Sequence, residues 1–468
     1  MTEAIKKSLR DSKAARWIAL ALISSTMFFA YFFVDVVAPL QKLMETDYHW
    51  TPEVFGMLGG SEFFLNVFAG FLILSGIILD KMGIRFTLIT AGLTMVIGAG
   101  LKFYALTPGF IETGFAIWLN SFLVNIPATA KLAFVGFAIF GVGVEMAGIT
   151  VSKTIVKWFK GKEMALAMGL EMAVARLGVF AVFRLTPIFA ESGGASNSVF
   201  WGLAFLCIGF ITFFIYTFMD AKLDKQTGVK DIVVSPEDEF KVSDLKKIFT
   251  NPGFIIIAGL CVLFYSAVFP FQKFATDMLA SKLDVDIKTA AAYFSYFPIG
   301  AMILTPFIGF FLDKKGLGAS MMLYGAILLT VSHLIFALVP ADIFNVPIAI
   351  GTIVILGTAF SLVPASMWPS VPKVVEERYL GSAYGSIFWI QNIGLMLVPV
   401  LIGWSISAAN PGVSELIAAK VEGAKYDYTI PELIFSGFGL LAVVLGVMLR
   451  MIDKKKGYGL DMPNIQDS

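Results

Sequence analysis

The chain is 468 residues long, 57% hydrophobic and 15% charged, with a formal net charge of +1. That is too apolar for an ordinary soluble protein, and the near-neutral balance lacks the basic footprint of a nucleic-acid binder. Its two cysteines, Cys207 and Cys261, both fall inside apolar runs and suggest neither a disulfide framework nor a metal site.

The N-terminal tail, residues 1–16, carries Lys6, Lys7, Arg10, Lys13 and Arg16 ahead of an apolar run at 17–40. That run is longer than a signal-peptide core and has no small-residue cleavage site within it, so it reads as a first membrane span. Runs of about 20 apolar residues, enough to cross a bilayer, follow at 54–79, 86–106, 131–153, 163–190 and 198–220. A polar linker at 221–250 comes next, with a short surface helix expected from about Ser243. Six more runs lie at 252–272, 289–312, 319–340, 343–370, 379–408 and 429–451, before a tail at 452–468. The expected fold is an all-α membrane protein of twelve transmembrane helices, in two six-helix bundles at 17–220 and 251–451.

Several spans hold ionisable residues. Asp35 lies near the outer end of the first and Glu62 in the outer half of the second; both are candidates for binding a cation or proton or for gating the outer mouth, although Asp35 could simply reach the interface. Glu145 sits in the fourth span and Arg176 in the fifth. If the helices end near Lys153 and begin near Glu163, these charges lie about 12 Å and 20 Å from the connecting loop, inside the hydrocarbon zone. A charge there costs at least ~2.5 kcal/mol on insertion scales and normally faces a cavity or the protein interior. Two readings follow: the pair lines a substrate path, or the two residues only satisfy each other between packed helices. Glu171, five residues from Arg176, points about 140° away on an ideal helix and is a candidate proton carrier or a brace. Arg184 is expected to snorkel outward and His333 to sit at a helix end. Tyr265 and Trp368 are candidates to stack on a ligand, with packing as the alternative.

Most Lys and Arg fall on the side of the N-terminus. Outside that set are Lys42, Lys102, Lys131, Lys273, Lys282, Lys288, Lys420, Lys425 and the intramembrane Arg176 and Arg184. The positive-inside bias predicts cytoplasmic termini. The two halves also repeat one another. Gly76-x-x-x-Asp80-Lys81-x-Gly83 recurs as Gly309-x-x-x-Asp313-Lys314-x-Gly316, and Pro39-Leu40-Gln41-Lys42 as Pro270-Phe271-Gln272-Lys273. Ala167-x-Gly169 recurs as Ala383-x-Gly385, and at that spacing Glu145 corresponds to Ser361 and Arg176 to Asn392. A cavity between the halves would then be charged on one wall and hydrogen-bonding on the other.

The stretch from Gly76 to Arg85, with its second copy, resembles the inner-loop signature of the major facilitator superfamily, whose fold is the twelve-helix arrangement expected above. Its glycines allow a tight turn, while Asp80, Lys81 and Arg85 supply contacts that can break and reform. A narrower resemblance rests on W-F-K-G-K-E-M-A-L-A-M-G-L (158–170), A-R-L-G (175–178), A-V-F-P-F (267–271), M-W-P-S-V (367–371), L-G-S-A-Y-G (380–385) and I-Q-N-I-G-L (390–395). These motifs are similar to the branch containing a lysosomal dipeptide carrier. That resemblance implies an acid on the fourth helix, Glu145, for a peptide amino terminus, and an arginine on the fifth, Arg176, for its carboxylate.

The chemistry read independently agrees, since a zwitterion needs one anion and one cation, and arginine offers a planar fork to a carboxylate. The expectation is therefore a secondary carrier working by alternating access, a monomer with no catalytic residues, cofactor or metal. Its cargo is expected to be a small peptide, with protons as a candidate co-substrate. The same pair would serve an amino acid, and Arg176 alone an organic anion; a substrate sensor that no longer transports is the reading from another class. No dileucine sorting signal stands out in the short N-terminal tail, which favours a prokaryotic plasma membrane over a lysosome.

Overall fold

A computed structural model describes residues 8–159, 161–227 and 242–463. Lys160 of the basic loop, the middle of the linker and the outer ends of both tails lie outside the described residues. The first half holds α1 (Lys13–Val34), α2 (Gln41–Tyr48), α3 (Pro52–Phe68), α4 (Phe71–Ala105), α5 (Pro108–Ile111), α6 (Gly114–Asn120), α7 (Ala128–Phe159) and α8 (Met164–Thr227). After a short α9 (Val242–Ile248), the surface helix expected in the linker, the second half holds α10 (Pro252–Leu283), α11 (Ile287–Phe294), α12 (Tyr296–Lys315), α13 (Gly318–Leu338), α14 (Val346–Val374), α15 (Leu380–Ala409), α16 (Val413–Ala418) and α17 (Thr429–Lys456).

Ten helical stretches among the described residues are long and apolar enough to cross a membrane. Two of the long helices fold back on themselves. In α4 the backbone turns at Gly83 (φ 80°), and in α8 at Gly193 and Gly194 (φ 69° at the latter). Such left-handed conformations are cheap only for glycine. With these two reversals counted, and α3 joined to the first part of α4 as one leg, the ten stretches make twelve legs among the described residues, consistent with the expected number.

The run expected as one span at 54–79 is broken by Ala69 and Gly70 (φ 65°), so α3 and the first part of α4 make one bent leg. The fourth span does not end near Lys153. It stays helical to Phe159, because the amphipathic basic stretch packs Trp158 and Phe159 inward and pairs Lys157 with Asp220 and Asp224 at 2.9 and 2.7 Å.

Glycine sets the helix spacing. A Cβ on Gly141 of α7 would overlap the carbonyl of Glu62 on α3, and one on Gly178 of α8 would overlap the carbonyl of Phe28 on α1. Small residues at crossings are how helices approach closely without a hydrophobic drive from lipid. The same device joins the halves: Gly56 and Gly60, a small-xxx-small pair on α3, lie against the backbone of Pro399 and Met396 on α15, and Gly403 lies against Pro52. This seam is on the side away from the termini, called here the far side.

Candidate functional site

With α7 continuing to Phe159, Glu145 lies about 21 Å from the end of its helix, and Arg176 about 18 Å from the start of α8. The two charges thus sit at nearly one depth. No ion pair within 4.0 Å joins them among the described residues. Glu145 lies within reach of Asn392 on α15, whose Nδ2 is buried with no hydrogen-bond partner. Arg176 stacks its guanidinium on the second half, 4.8 Å from the centre of the Phe360 ring on α14 and 5.6 Å from that of Phe269 on α10.

This crossing obeys the internal repeat. Arg176 and Asn392 are repeat mates, as are Glu145 and Ser361. Glu145 meets the mate of Arg176, and Arg176 meets Phe360, the neighbour of the mate of Glu145. Ser361 itself is fully buried and donates its hydroxyl to the Gly357 carbonyl at 2.9 Å, one turn back on its own helix.

Around the arginine stands an aromatic wall. Tyr265 lies 5.4 Å from Phe269, and Trp368 Nε1 donates to the Tyr265 hydroxyl at 3.3 Å. Trp368 in turn stacks on Phe388 at 4.9 Å. Tyr31 of α1 feels the charges of Arg176, Glu171, Glu145 and Glu62, and the motifs did not single it out. Glu171 lies close enough to feel the Arg176 charge, though no ion pair within 4.0 Å joins them among the described residues. The assembled set is one cation and two carboxylates, unpaired with one another, beside a planar aromatic surface.

Asp35 is not an interfacial residue. It is 1% exposed and accepts a hydrogen bond from Gln272 and a 2.8 Å ion pair from Lys273, both on α10. Glu62 lies 3.9 Å from the same Lys273. Lys273 and the fully buried Lys102 are therefore interior residues, although charge counting places them in outer loops. Further out, Glu45 accepts from Ser414 and Tyr426, Gln41 accepts from Tyr428 at 3.4 Å, and Lys42 donates to the Ala424 carbonyl at 3.0 Å. Arg184 reaches the other half, where its Nε donates to Ser295 at 2.9 Å. His333 is not a free helix end but is fully buried, 2.8 Å from Glu432. Together, the cross-half bonds of Asp35, Glu45, Arg184 and Lys42 close the far side.

The two signature loops sit at the termini side. Asp80 pairs with Lys153 at 2.8 Å, and Arg85 with Asp224 at 2.6 Å, while Lys81 is exposed. Gly83 and Gly316 (φ 75°) occupy equivalent turns. A Cβ on Gly76 or Gly309 would meet nothing within 4 Å. In the second copy Lys314 lies over Phe310 at 4.5 Å, and Asp313 lies in the last turn of α12. The position of Arg85 is taken there by Gly318, whose amide donates to Leu460 at 3.1 Å. The C-terminal segment thus packs against the second signature loop.

Comparison with known proteins agrees with this architecture. The model of the Major Facilitator Superfamily matches residues 20–399 and 274–460. The Lysosomal dipeptide transporter MFSD1 of Mus musculus is 27% identical over 96% of this chain and 89% of its own length. The protein of the same name from Homo sapiens is 27% identical over 96% and 88%. Among solved structures, the nucleoside transporter NupG superposes with a TM-score of 0.66 at 14% identity, over 92% of this chain and 99% of that one. A bacterial homolog to the human lysosomal transporter Spinster, in an inward-facing and occupied conformation, gives 0.68 at 15%, over 95% and 98%.

Proposed function

The chain belongs to the Major Facilitator Superfamily, and from that premise we propose that this alternating-access membrane transporter carries dipeptides, held end to end between Glu145 and Arg176. The observation that carries the reading is the pair itself: opposite charges at one depth, on consecutive helices, each turned to the other half rather than to its partner. A zwitterion supplies what both lack. Its carboxylate accepts the guanidinium fork in bidentate geometry, its ammonium meets Glu145 with Asn392 alongside, and its backbone lies against Tyr265 and Trp368. Hydrogen bonds to charged groups contribute about 1.5–3 kcal/mol each, so each end matters separately. The relatives' printed names, which specify dipeptides, support the same cargo.

Because both poles of the site touch the second half, a bound peptide links the two bundles and biases their relative position, as alternating access requires. Asp35 and Glu62 then act as the far-side gate, and Glu171 is the candidate proton carrier beside Arg176. The excess of Lys and Arg on the termini side supports a cytoplasmic position for both termini. The prokaryotic plasma-membrane expectation gains nothing from the relatives, whose names place them in lysosomes.

The test is binding of a neutral dipeptide to purified protein by calorimetry, beside the same peptide with an acetylated amino end or an amidated carboxyl end. Blocking either end should weaken binding by at least about tenfold, and Glu145→Gln should abolish the preference for a free amine while keeping the preference for a free carboxylate. Equal binding of free and blocked forms would refute the assignment.

A further inference from the structure

The far-side gate contains a cation that its closed state does not use. Lys102 on α4 is fully buried, and its Nζ has no hydrogen-bond partner among the described residues. It rests on aromatic faces instead, 3.8 Å from the centre of the Phe137 ring and 5.2 Å from that of Phe33. Lys273 lies over the same Phe137 ring at 5.8 Å. Two ammonium groups, one from each half, therefore flank one ring.

Their partners are divided unequally. Lys273 holds Asp35 at 2.8 Å and lies 3.9 Å from Glu62. Glu62 Oε2 is buried and accepts no hydrogen bond. Asp35, Glu62 and Lys102 all belong to the first half, and Lys273 to the second. The backbone of Lys102 is fixed to α7 by close crossing, since a Cβ on Gly136 would stand 2.7 Å from the Lys102 nitrogen. Lys102 therefore travels with the carboxylates when the halves separate.

Opening the far side withdraws Lys273, and two carboxylates would be left in a low-dielectric site without a cation. Breaking a buried ion pair by removing one partner is strongly unfavourable and would hold the gate shut. We propose that Lys102 is the stand-in counter-ion: as Lys273 leaves, the Lys102 ammonium swings off Phe137 on its flexible four-carbon stem and pairs with Glu62 and Asp35. The exchange keeps the buried charge compensated in both states, so the closed gate is held by Lys273 and the open gate by Lys102.

The experiment follows gate opening without reference to any cargo. Thr276, buried on α10 near Lys273, is replaced by Cys in full-length protein carrying Cys207→Ser and Cys261→Ser, and its reaction rate with a water-soluble maleimide is measured. Lys102→Met should slow labelling by about tenfold, and Lys102→Arg should leave it near the parent rate. In a Glu62→Gln background, adding Lys102→Met should slow labelling by clearly less than tenfold, because only Asp35 then needs a cation; this comparison stands even if Lys102→Met alone folds poorly. A parent-like rate in Lys102→Met, or the same slowing with and without Glu62→Gln, would overturn the proposal.

Discussion

Lys273 of the second half reaches across the molecule to hold Asp35 of the first at 2.8 Å, in a site where Asp35 is 1% exposed. That bond, with the glycine seam beside it, makes the far side a closed door. Lys273→Met should therefore favour the far-side-open state, speeding maleimide labelling of a Cys at Thr276 by about tenfold, equivalent to about 1.4 kcal/mol. Unchanged labelling would show that the pair is not a lock.

The seam gives a second prediction. Gly60 meets the Met396 backbone so closely that any side chain must push α3 from α15. Overpacking typically costs about 1–3 kcal/mol, and here it falls only on the closed state. Gly60→Ala should speed the same labelling, whereas Gly148→Ala, with nothing within 4 Å of its Cβ, should leave it alone. Equal effects of both would remove the seam from the gate.

Within the first half, Gly178→Ala forces α8 away from Phe28 and moves the leg that carries Arg176. The expected outcome is a lowered thermal midpoint and weakened peptide binding together. Lowered stability with unaltered affinity would mean that the crossing does not position the arginine.

At the termini side, Asp11 is paired with Lys162 at 3.1 Å and hydrogen-bonded to Ser8. These contacts, the Lys162 ammonium first, hold its pKa down at about 2 from the usual 3.8. A depressed carboxylate stabilises fully above its ordinary pKa and loses that contribution as pH falls through the folded value. Amide-exchange protection of residues 8–16 should thus persist down to about pH 4 and fade towards pH 2, and Asp11→Asn should weaken it at neutral pH. Loss already at pH 5 would contradict the pairing.

The helical plan was legible in the chain because apolar runs of bilayer length leave few alternatives, and the duplicated Gly76 and Gly309 loops marked the two halves. Bends were less legible: Gly70 breaks a leg inside an unbroken apolar run, since a glycine in lipid-facing sequence carries no local mark of its φ. Charges misled where their partners lie on the other half or on a distant helix. Lys102, Lys273 and His333 looked like loop or end residues, because nothing nearby in sequence reveals Phe137, Asp35 or Glu432. Gln41-Lys42 and Gln272-Lys273 repeat in the two halves, and in the structure each of the two lysines bonds across to the other half. For the central pair, sequence reached the right helices but placed Glu145 too near the loop, since the basic stretch 153–159 continues α7.

The central claim is that Glu145 and Arg176 receive the two ends of a dipeptide, and its most direct measurement is uptake of a labelled dipeptide into liposomes containing the purified protein. Saturable uptake is expected of the parent, reduced at least about a hundredfold in Arg176→Ala and strongly reduced in Glu145→Gln, with thermal midpoints retained in both. An imposed pH gradient in the same vesicles shows whether protons are carried. Undiminished uptake in well-folded Arg176→Ala, or none by the well-folded parent, would contradict the claim.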